Sequence, residues 1–375
     1  MKAALLGYGT VGRGVDAIWK AEGLKDPELT KILVRRKEAM QDERFTLDFG
    51  SIINDENIGV VIEAMGGEEP AYSYVKESLE AGKHVISANK KMLARHMDLF
   101  ETAEKHNVKL LIEASCGGGI PWFSNMESLR RSDHIESFKA IMNGTSNFIL
   151  SSVFEEGRSF DGALEQAKKL GYAEADPSDD LCGYDVSFKT ALSVYKAFDR
   201  MIDVDAMAVF GIERLGKEDI DFAKSKGRII KLIGEASLKE EKLETCVLPV
   251  FVKDDGLFAK VSGNFNIFEC DCKHLGRLHF IGQGAGSYPT AQAIVQDLLD
   301  LRDKRNYGRR EIRKAKLNNE KQGTYYIRGN CDALRDLIEE RIDERRFLSK
   351  RIGLKQLIDH RKDIDFIGCC KLPWI

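Results

Sequence analysis

Between Glu174 and Asp185 the chain places five carboxylates, Glu174, Asp176, Asp179, Asp180 and Asp185, within twelve residues, and Lys189 follows four positions later. Like charges at this density repel, so a fold keeps them in water or turns them toward a cation, and a substrate ammonium group is one such cation. Val186, Thr190, Val194 and Ala197, with Leu192, Tyr195 and Phe198 between them, follow a helical spacing that runs past both Asp185 and Lys189. Those two then share one helix face as an i,i+4 pair with the acid on the N-terminal side. The same residues also read as a solvated surface pair contributing about 0.3–0.5 kcal/mol. On that reading Asp179 or Asp180 is a helix cap and the acidic run complements the helix dipole.

Two further polar sets sit where strands are expected to end. Ser87-Ala88-Asn89-Lys90-Lys91 follows the apolar run His84-Val85-Ile86, and Glu113-Ala114-Ser115-Cys116-Gly117-Gly118-Gly119-Ile120-Pro121 follows Lys109–Ile112. In doubly wound sheets the carboxyl edge of the strands is where ligands bind. Three consecutive glycines expose main-chain carbonyls and amides, so the second loop reads either as a cradle for an ion or ligand or as a hinge ending in proline.

The elements that must position these groups begin at residue 2. Residues 2–6, KAALL, form a short apolar strand and run into Gly7-Tyr8-Gly9-Thr10-Val11-Gly12, after which a helical stretch continues to about Lys20. This is GxGxxG directly after a strand and at the start of a helix. Gly7 permits the tight turn, Gly9 lets a pyrophosphate reach the backbone, Gly12 lets helix and strand pack, and the amides at Thr10 and Val11 face the phosphates. A second strand, Ile32-Leu33-Val34, ends in Arg35-Arg36-Lys37. An acid at that place suits the ribose hydroxyl of NAD, whereas arginine suits a 2′-phosphate, so Arg35 and Arg36 favour NADP, with NAD still open. The other reading is a solvated basic turn. Further strands at Val60–Ile62, His84–Ile86 and Lys109–Ile112 alternate with helices and predict a parallel sheet covered on both faces.

Bulk properties set the frame. The 375 residues suffice for two or three domains, 43% apolar and 31% charged residues are ordinary for a globular protein, and a net charge of −3 gives no nucleic-acid surface. The opening MKAALLGYGTVG lacks the layout of a signal peptide, and no apolar run approaches the length of a membrane span. Eight cysteines without a CxxC pair are expected to be reduced thiols of a cytoplasmic protein, and seven histidines without an HExxH grouping offer no catalytic transition metal.

From Pro121 onward the pattern becomes α+β. A helix around Ser124–Arg131 leads to a strand at Ile135–Ile141, then to Asn143-Gly144-Thr145-Ser146-Asn147 and a helix carrying Phe148 to Phe154. After the acidic stretch come a helix near Glu218–Ser225 and strands at Arg228–Leu232, Cys246–Val252 and Leu278–Ile281. Gly282-Gln283-Gly284-Ala285-Gly286-Ser287-Tyr288-Pro289-Thr290 and a helix over Ala291–Leu301 follow.

GYGTVG, IEAMGG at 62–67, ANKK at 88–91, EASCGGGIP at 113–121, NGTSN at 143–147, GYAEADPSDDLCGYD with Lys189, and GQGAGSYPTA at 282–291 together resemble homoserine dehydrogenase, collinearly over about residues 1–310. The last three motifs are specific in combination, since nucleotide-binding folds in general do not carry them. The resemblance implies reversible NAD(P)-linked interconversion of L-homoserine and L-aspartate 4-semialdehyde, on the route to threonine and methionine. It assigns Lys189 as general acid/base, Lys90 as a second lysine sharing proton transfer, and Glu174 and Asp180 to the substrate amino group. Asp185 is expected to orient Lys189, since a neighbouring acid does not lower a lysine's pKa. The resemblance also implies a monovalent cation, read as sodium, on the main-chain oxygens of Glu113, Cys116, Gly118 and Ile120, for which backbone carbonyls are suitable hard ligands. It favours a homodimer formed through the second domain, with no nucleic-acid or membrane partner.

The expected architecture is α/β: a doubly wound Rossmann domain at 1–120 completed by 291–310, an α+β catalytic and dimerisation domain at 121–290, and a short module at 323–375. That tail, with a strand at Tyr325–Arg328, a helix at Ala333–Arg341, an extended run at Arg345–Ile352, a helix near Leu354–Asp359 and a strand at Ile364–Cys369, reads either as a truncated ACT-like module or as an oligomerisation appendage. Two other functions fit the same residues: a dehydrogenase for another amino-acid-derived aldehyde, and a non-catalytic NADP-binding sensor.

Overall fold

The computed structural model describes residues 1–36, 42–305 and 312–371. The chain forms two compact units, one of Met1–Arg131 with Gln283–Glu311 and one of Ser132–Gly282 with Ile312–Ile375.

In the first unit, the described residues form a six-stranded parallel sheet in the order Phe45–Thr46, Glu28–Leu33, Lys2–Leu6, Ile58–Glu63, His84–Ser87, Leu110–Leu111. This is the strand order of a dinucleotide-binding sheet. Ala3, Ala4, Leu5 and Leu6 are all fully buried, because helices cover both faces and every position of the strand points into protein. The Thr10–Ala21 helix starts straight out of the first turn. Gly7 takes φ +96°, and a Cβ there would lie 2.7 Å from the Ala64 carbonyl oxygen; one on Gly12 would lie 2.2 Å from that of Gly7. Both positions therefore require bare backbone.

The Ser287–Arg302 helix packs on this same helix. A Cβ on Gly14 would lie 3.0 Å from that of Ala291, the Ser287 hydroxyl donates to the Thr10 carbonyl at 2.8 Å, and Ala291, Ile294, Leu298 and Leu301 share a core with Val15 and Trp19. Residues far along the chain thus complete the first fold.

The second unit is built on a mixed sheet whose main path, among the described residues, runs Gly276–Gln283, Phe265–Cys272, Ile135–Ile141, Arg228–Lys239, Lys242–Lys253, Ile364–Lys371, Gln322–Gly329, Arg346–Ser349, Ile338–Arg341. The Tyr184–Phe198 helix lies on this sheet, and the contact is close: a Cβ on Gly234 would fall 2.2 Å from Thr190 Oγ1 and 2.9 Å from Val186 Cγ1. Gly234 therefore sets the depth at which Asp185 and Lys189 sit.

Residues 323–371 do not stand apart from this unit. The Ile364–Lys371 strand enters the sheet between Lys242–Lys253 and Gln322–Gly329, and Tyr325, Ile327 and Phe347 share a core with Leu248 and Val250. Buried ion pairs tie the tail down as well, Lys321 Nζ to Glu235 at 2.6 Å and Arg328 to Asp219 at 2.9 Å. The helix expected at Ala333–Arg341 is absent; a short turn at Arg335–Leu337 leads into the strand Ile338–Arg341. Pairing with Arg346–Ser349 overrides the local helical preference there.

Candidate active site

The Tyr184–Phe198 helix begins at Gly183, held at φ +83° where a side chain would be strained and would meet Val209 and Val247 at 3.3 Å. One turn in, Asp185 and Lys189 meet at 2.7 Å with side chains only 6% and 9% exposed. The surface-pair reading is therefore wrong, and the pair belongs to the class whose charges must satisfy one another. Lys189 Nζ also donates to the Met142 carbonyl at 2.7 Å, at the end of the Ile135–Ile141 strand.

Asn143, the next residue, joins the rest. Its Nδ2 donates to Asp180 Oδ1 at 2.6 Å and to Asp185 Oδ2 at 2.8 Å, while its Oδ1 accepts from the Ser146 amide at 2.7 Å and caps the Gly144–Glu155 helix. Burial, and then the charge of Asp185, push the Asp180 carboxyl above its ordinary pKa. One buried amine, two carboxylates and an amide thus converge. Neither Asp179 nor Asp180 caps a helix by its side chain: the Ser178–Leu181 helix has Pro177 at its N-cap, and Asp176 instead accepts from the Ser178 amide at 3.1 Å. Glu174 is exposed, and its side chain forms no hydrogen bond or ion pair with the described residues.

In the first unit the glycine turn leaves the space beside Gly9 open. Nothing lies within 4 Å of where a Gly9 side chain would project, the Thr10–Ala21 helix has no side-chain cap on its first amides, and Val11 stands in its first turn. Arg35 and Arg36 are both exposed just beyond the Glu28–Leu33 strand, whose Leu33 carbonyl accepts from the Gly7 amide at 3.0 Å. Lys37, the third basic residue of that run, lies outside the described residues.

Lys90 opens the Lys90–Arg95 helix, which Asn89 caps by accepting from the Met92 amide at 3.2 Å. Beneath that turn lies Glu63, fully buried, whose carboxylate accepts from the Met65 amide at 2.7 Å and from the Ser87 hydroxyl. Burial raises it to about 7.

In the 113–121 loop, Cys116, Gly118 and Ile120 are buried, and Gly117 and Gly118 take φ +81° and +58°. The Glu113 side chain accepts from the Phe123 and Ser124 amides at 3.0 and 2.7 Å, so it serves the Trp122–Leu129 helix and leaves main-chain oxygens as the loop's polar offering. A Cβ on Gly118 would fall 2.7 Å from the Gly284 carbonyl carbon. Among the described residues no group of three or more His, Cys, Asp or Glu side chains is disposed to hold a metal, and no helix is long and apolar enough to cross a membrane.

The sequence did not mark Asn143 or Glu63 as functional. Asn143 carried one available signal, an asparagine directly ahead of a helical run, which locates a cap but not a bridge between two acids.

Two family models match the chain: homoserine dehydrogenase, NAD binding domain, over residues 7–113, and homoserine dehydrogenase over residues 121–299. A homoserine dehydrogenase of Synechocystis sp. is 37% identical over 316 residues, covering 80% of this chain and 73% of that one. The chain belongs to the homoserine dehydrogenase family. The Lactococcus lactis homoserine dehydrogenase is 35% identical over 313 residues, again covering 80% and 73%. The structure of the Thiobacillus denitrificans homoserine dehydrogenase superposes with a TM-score of 0.85 at 28% identity, covering 99% of this chain and 98% of that one. That of the Staphylococcus aureus homoserine dehydrogenase gives 0.77 at 29%, with the same coverage. Homoserine dehydrogenases are oxidoreductases of small-molecule substrates, and the nucleotide-domain match makes a nicotinamide cofactor part of the chemistry. Membership favours this function over the sensor and over a dehydrogenase of another aldehyde.

Proposed function

We propose that the Asp180–Asn143–Asp185–Lys189 cluster is the acid/base and substrate-ammonium site for interconversion of L-homoserine and L-aspartate 4-semialdehyde. The observation that carries this reading is the 2.7 Å pair of Lys189 and Asp185, nearly closed to solvent, with Asp180 held 2.6 Å from the shared Asn143 amide. A bound nicotinamide cofactor supplies the hydride acceptor or donor. The lysine amine takes the proton from the substrate hydroxyl, or returns it to the carbonyl oxygen, and its positive charge stabilises the alkoxide. Asp185 and the Met142 carbonyl fix the direction of that amine. Asp180 and the exposed Glu174 provide negative charge for the substrate ammonium, and Lys90 is a second proton carrier.

The open space at Gly9 and the uncapped amides from Thr10 fit a pyrophosphate. Arg35 and Arg36 favour NADP over NAD. An archaeal homoserine dehydrogenase solved with NADPH shares the fold, with a TM-score of 0.68 at 21% identity. The main-chain oxygens of Glu113, Cys116, Gly118 and Ile120 suit a monovalent cation, read as sodium, whose charge would order the loop. Assembly as a homodimer through the second domain, and a cytoplasmic location, belong to the same reading. The test is spectrophotometric: the enzyme should reduce NADP on addition of homoserine, faster than NAD at equal concentration. Absence of turnover with either cofactor would overturn the reading.

A further inference from the structure

The geometry points to Asn143 as a positioning residue that holds Asp180 and Asp185 together beside Lys189, a role resting on the reading of that cluster as the substrate site. A primary amide has two N–H donors and one carbonyl acceptor. Here both donors go to carboxylates, Asp180 Oδ1 at 2.6 Å and Asp185 Oδ2 at 2.8 Å, and the carbonyl takes the Ser146 amide at 2.7 Å. The orientation of the side chain is therefore fixed by chemistry. Reversed, it would set a carbonyl oxygen against two carboxylates and an NH2 group against an N–H.

The residue type follows from the bridge and not from the cap. An N-cap accepts serine, aspartate or asparagine about equally. A serine at 143 would still cap the Gly144–Glu155 helix but reach neither acid with two donors. An aspartate would cap it as well, yet add a third carboxylate among two that already repel, since the charge of Asp185 contributes to the raised pKa of Asp180. Only asparagine serves the helix and joins both acids. Because Asp185 Oδ2 also receives the Lys189 amine at 2.7 Å, the amide links the ammonium-binding acid to the orienting acid through one side chain. The charged groups facing it are Asp180 from the Ser178–Leu181 helix and Asp185 and Lys189 from the Tyr184–Phe198 helix; the Ile135–Ile141 strand side offers the neutral Met142 carbonyl.

The test compares Asn143→Ser and Asn143→Asp with the wild-type enzyme, by thermal unfolding and by the pH dependence of kcat/KM for homoserine. The serine variant should unfold near the wild-type temperature, lose about 10- to 100-fold in kcat/KM, and show an acid limb moved to higher pH, because a donor that favoured ionised carboxylates is gone. The aspartate variant should be both less stable and less active than the serine variant, because it buries a third carboxylate beside two that already repel. A role as a helix cap alone predicts the opposite order, with aspartate the better substitute in both respects, and leaves the acid limb in place. An aspartate variant as active as the serine variant, or an unmoved limb in whichever variant folds, would overturn the bridge. A wild-type enzyme inert toward homoserine would instead overturn the functional reading.

Discussion

Replacing Glu63 by glutamine should change how the first unit's stability depends on pH. Glu63 has no solvent exposure and no salt-bridge partner among the described residues, and its oxygens are met only by neutral donors such as the Met65 amide and the Ser87 hydroxyl. Burial lifts its pKa from the ordinary 4.5 to about 7. A raised folded-state pKa means that the folded protein holds the proton more tightly than the unfolded chain. The stability this contributes is present below about 4.5 and is lost as pH rises through about 7. At about 1.4 kcal/mol per pH unit, that interval corresponds to about 3 kcal/mol. Glutamine does not ionise, so Glu63→Gln should gain up to about that amount relative to wild type between pH 4.5 and 8. Urea unfolding of both proteins in a Trp374→Phe background, followed by the fluorescence of Trp19 and Trp122, which lie in this unit, measures it. Curves for variant and wild type that stay parallel from pH 5 to pH 8, or a variant that loses ground as pH rises, would refute the assignment of a neutral Glu63 at low pH.

Lys189→Ala should lower kcat by about 10²- to 10⁴-fold while sparing NADPH binding, and a kcat within tenfold of wild type would remove the lysine from proton transfer. Because the deletion strips the cation from a nearly closed ion pair, its unfolding temperature should fall too, unlike that of a surface lysine variant measured alongside. Neutralising Arg35 and Arg36 together should raise the dissociation constant of NADPH at least tenfold and that of NADH little; equal weakening would dismiss recognition of a 2′-phosphate. Glu174→Gln should raise KM for homoserine several-fold with kcat nearly unchanged, and an unaltered KM in steady-state assays would detach Glu174 from the substrate ammonium.

The sequence disclosed most where one local rule governs a residue. GYGTVG after an apolar strand located the first turn because Gly7 and Gly12 face backbone oxygens at distances that exclude a side chain. The periodicity beyond Asp185 located the Tyr184–Phe198 helix for the same kind of reason. What it could not disclose was depth. Asp185 and Lys189 share spacing with ordinary surface pairs, and it is the packing of their helix on the sheet, closest at Gly234 some 45 residues away in the chain, that sinks them below the surface. Asn143 was visible only as part of NGTSN, and its bridging depends on acids supplied by two later helices. The tail was misread at Ala333–Arg341 because strand pairing with Arg346–Ser349 decides that segment, and pairing leaves no helical or alternating mark strong enough to read from so short a run.

The first unit is discontinuous, and this imposes an order of events on synthesis. Its six strands leave the ribosome well before Ala291, Ile294, Leu298 and Leu301, the residues that cover Val15 and Trp19. Until that late helix emerges, the nucleotide fold carries an uncovered greasy stripe, while the intervening 151 residues, Ser132–Gly282, are still being made. A nascent chain therefore completes the fold of its first unit only after Ser132–Gly282 of the second has been translated, and the second is itself completed later still, by the strands Gln322–Gly329 and Ile364–Lys371.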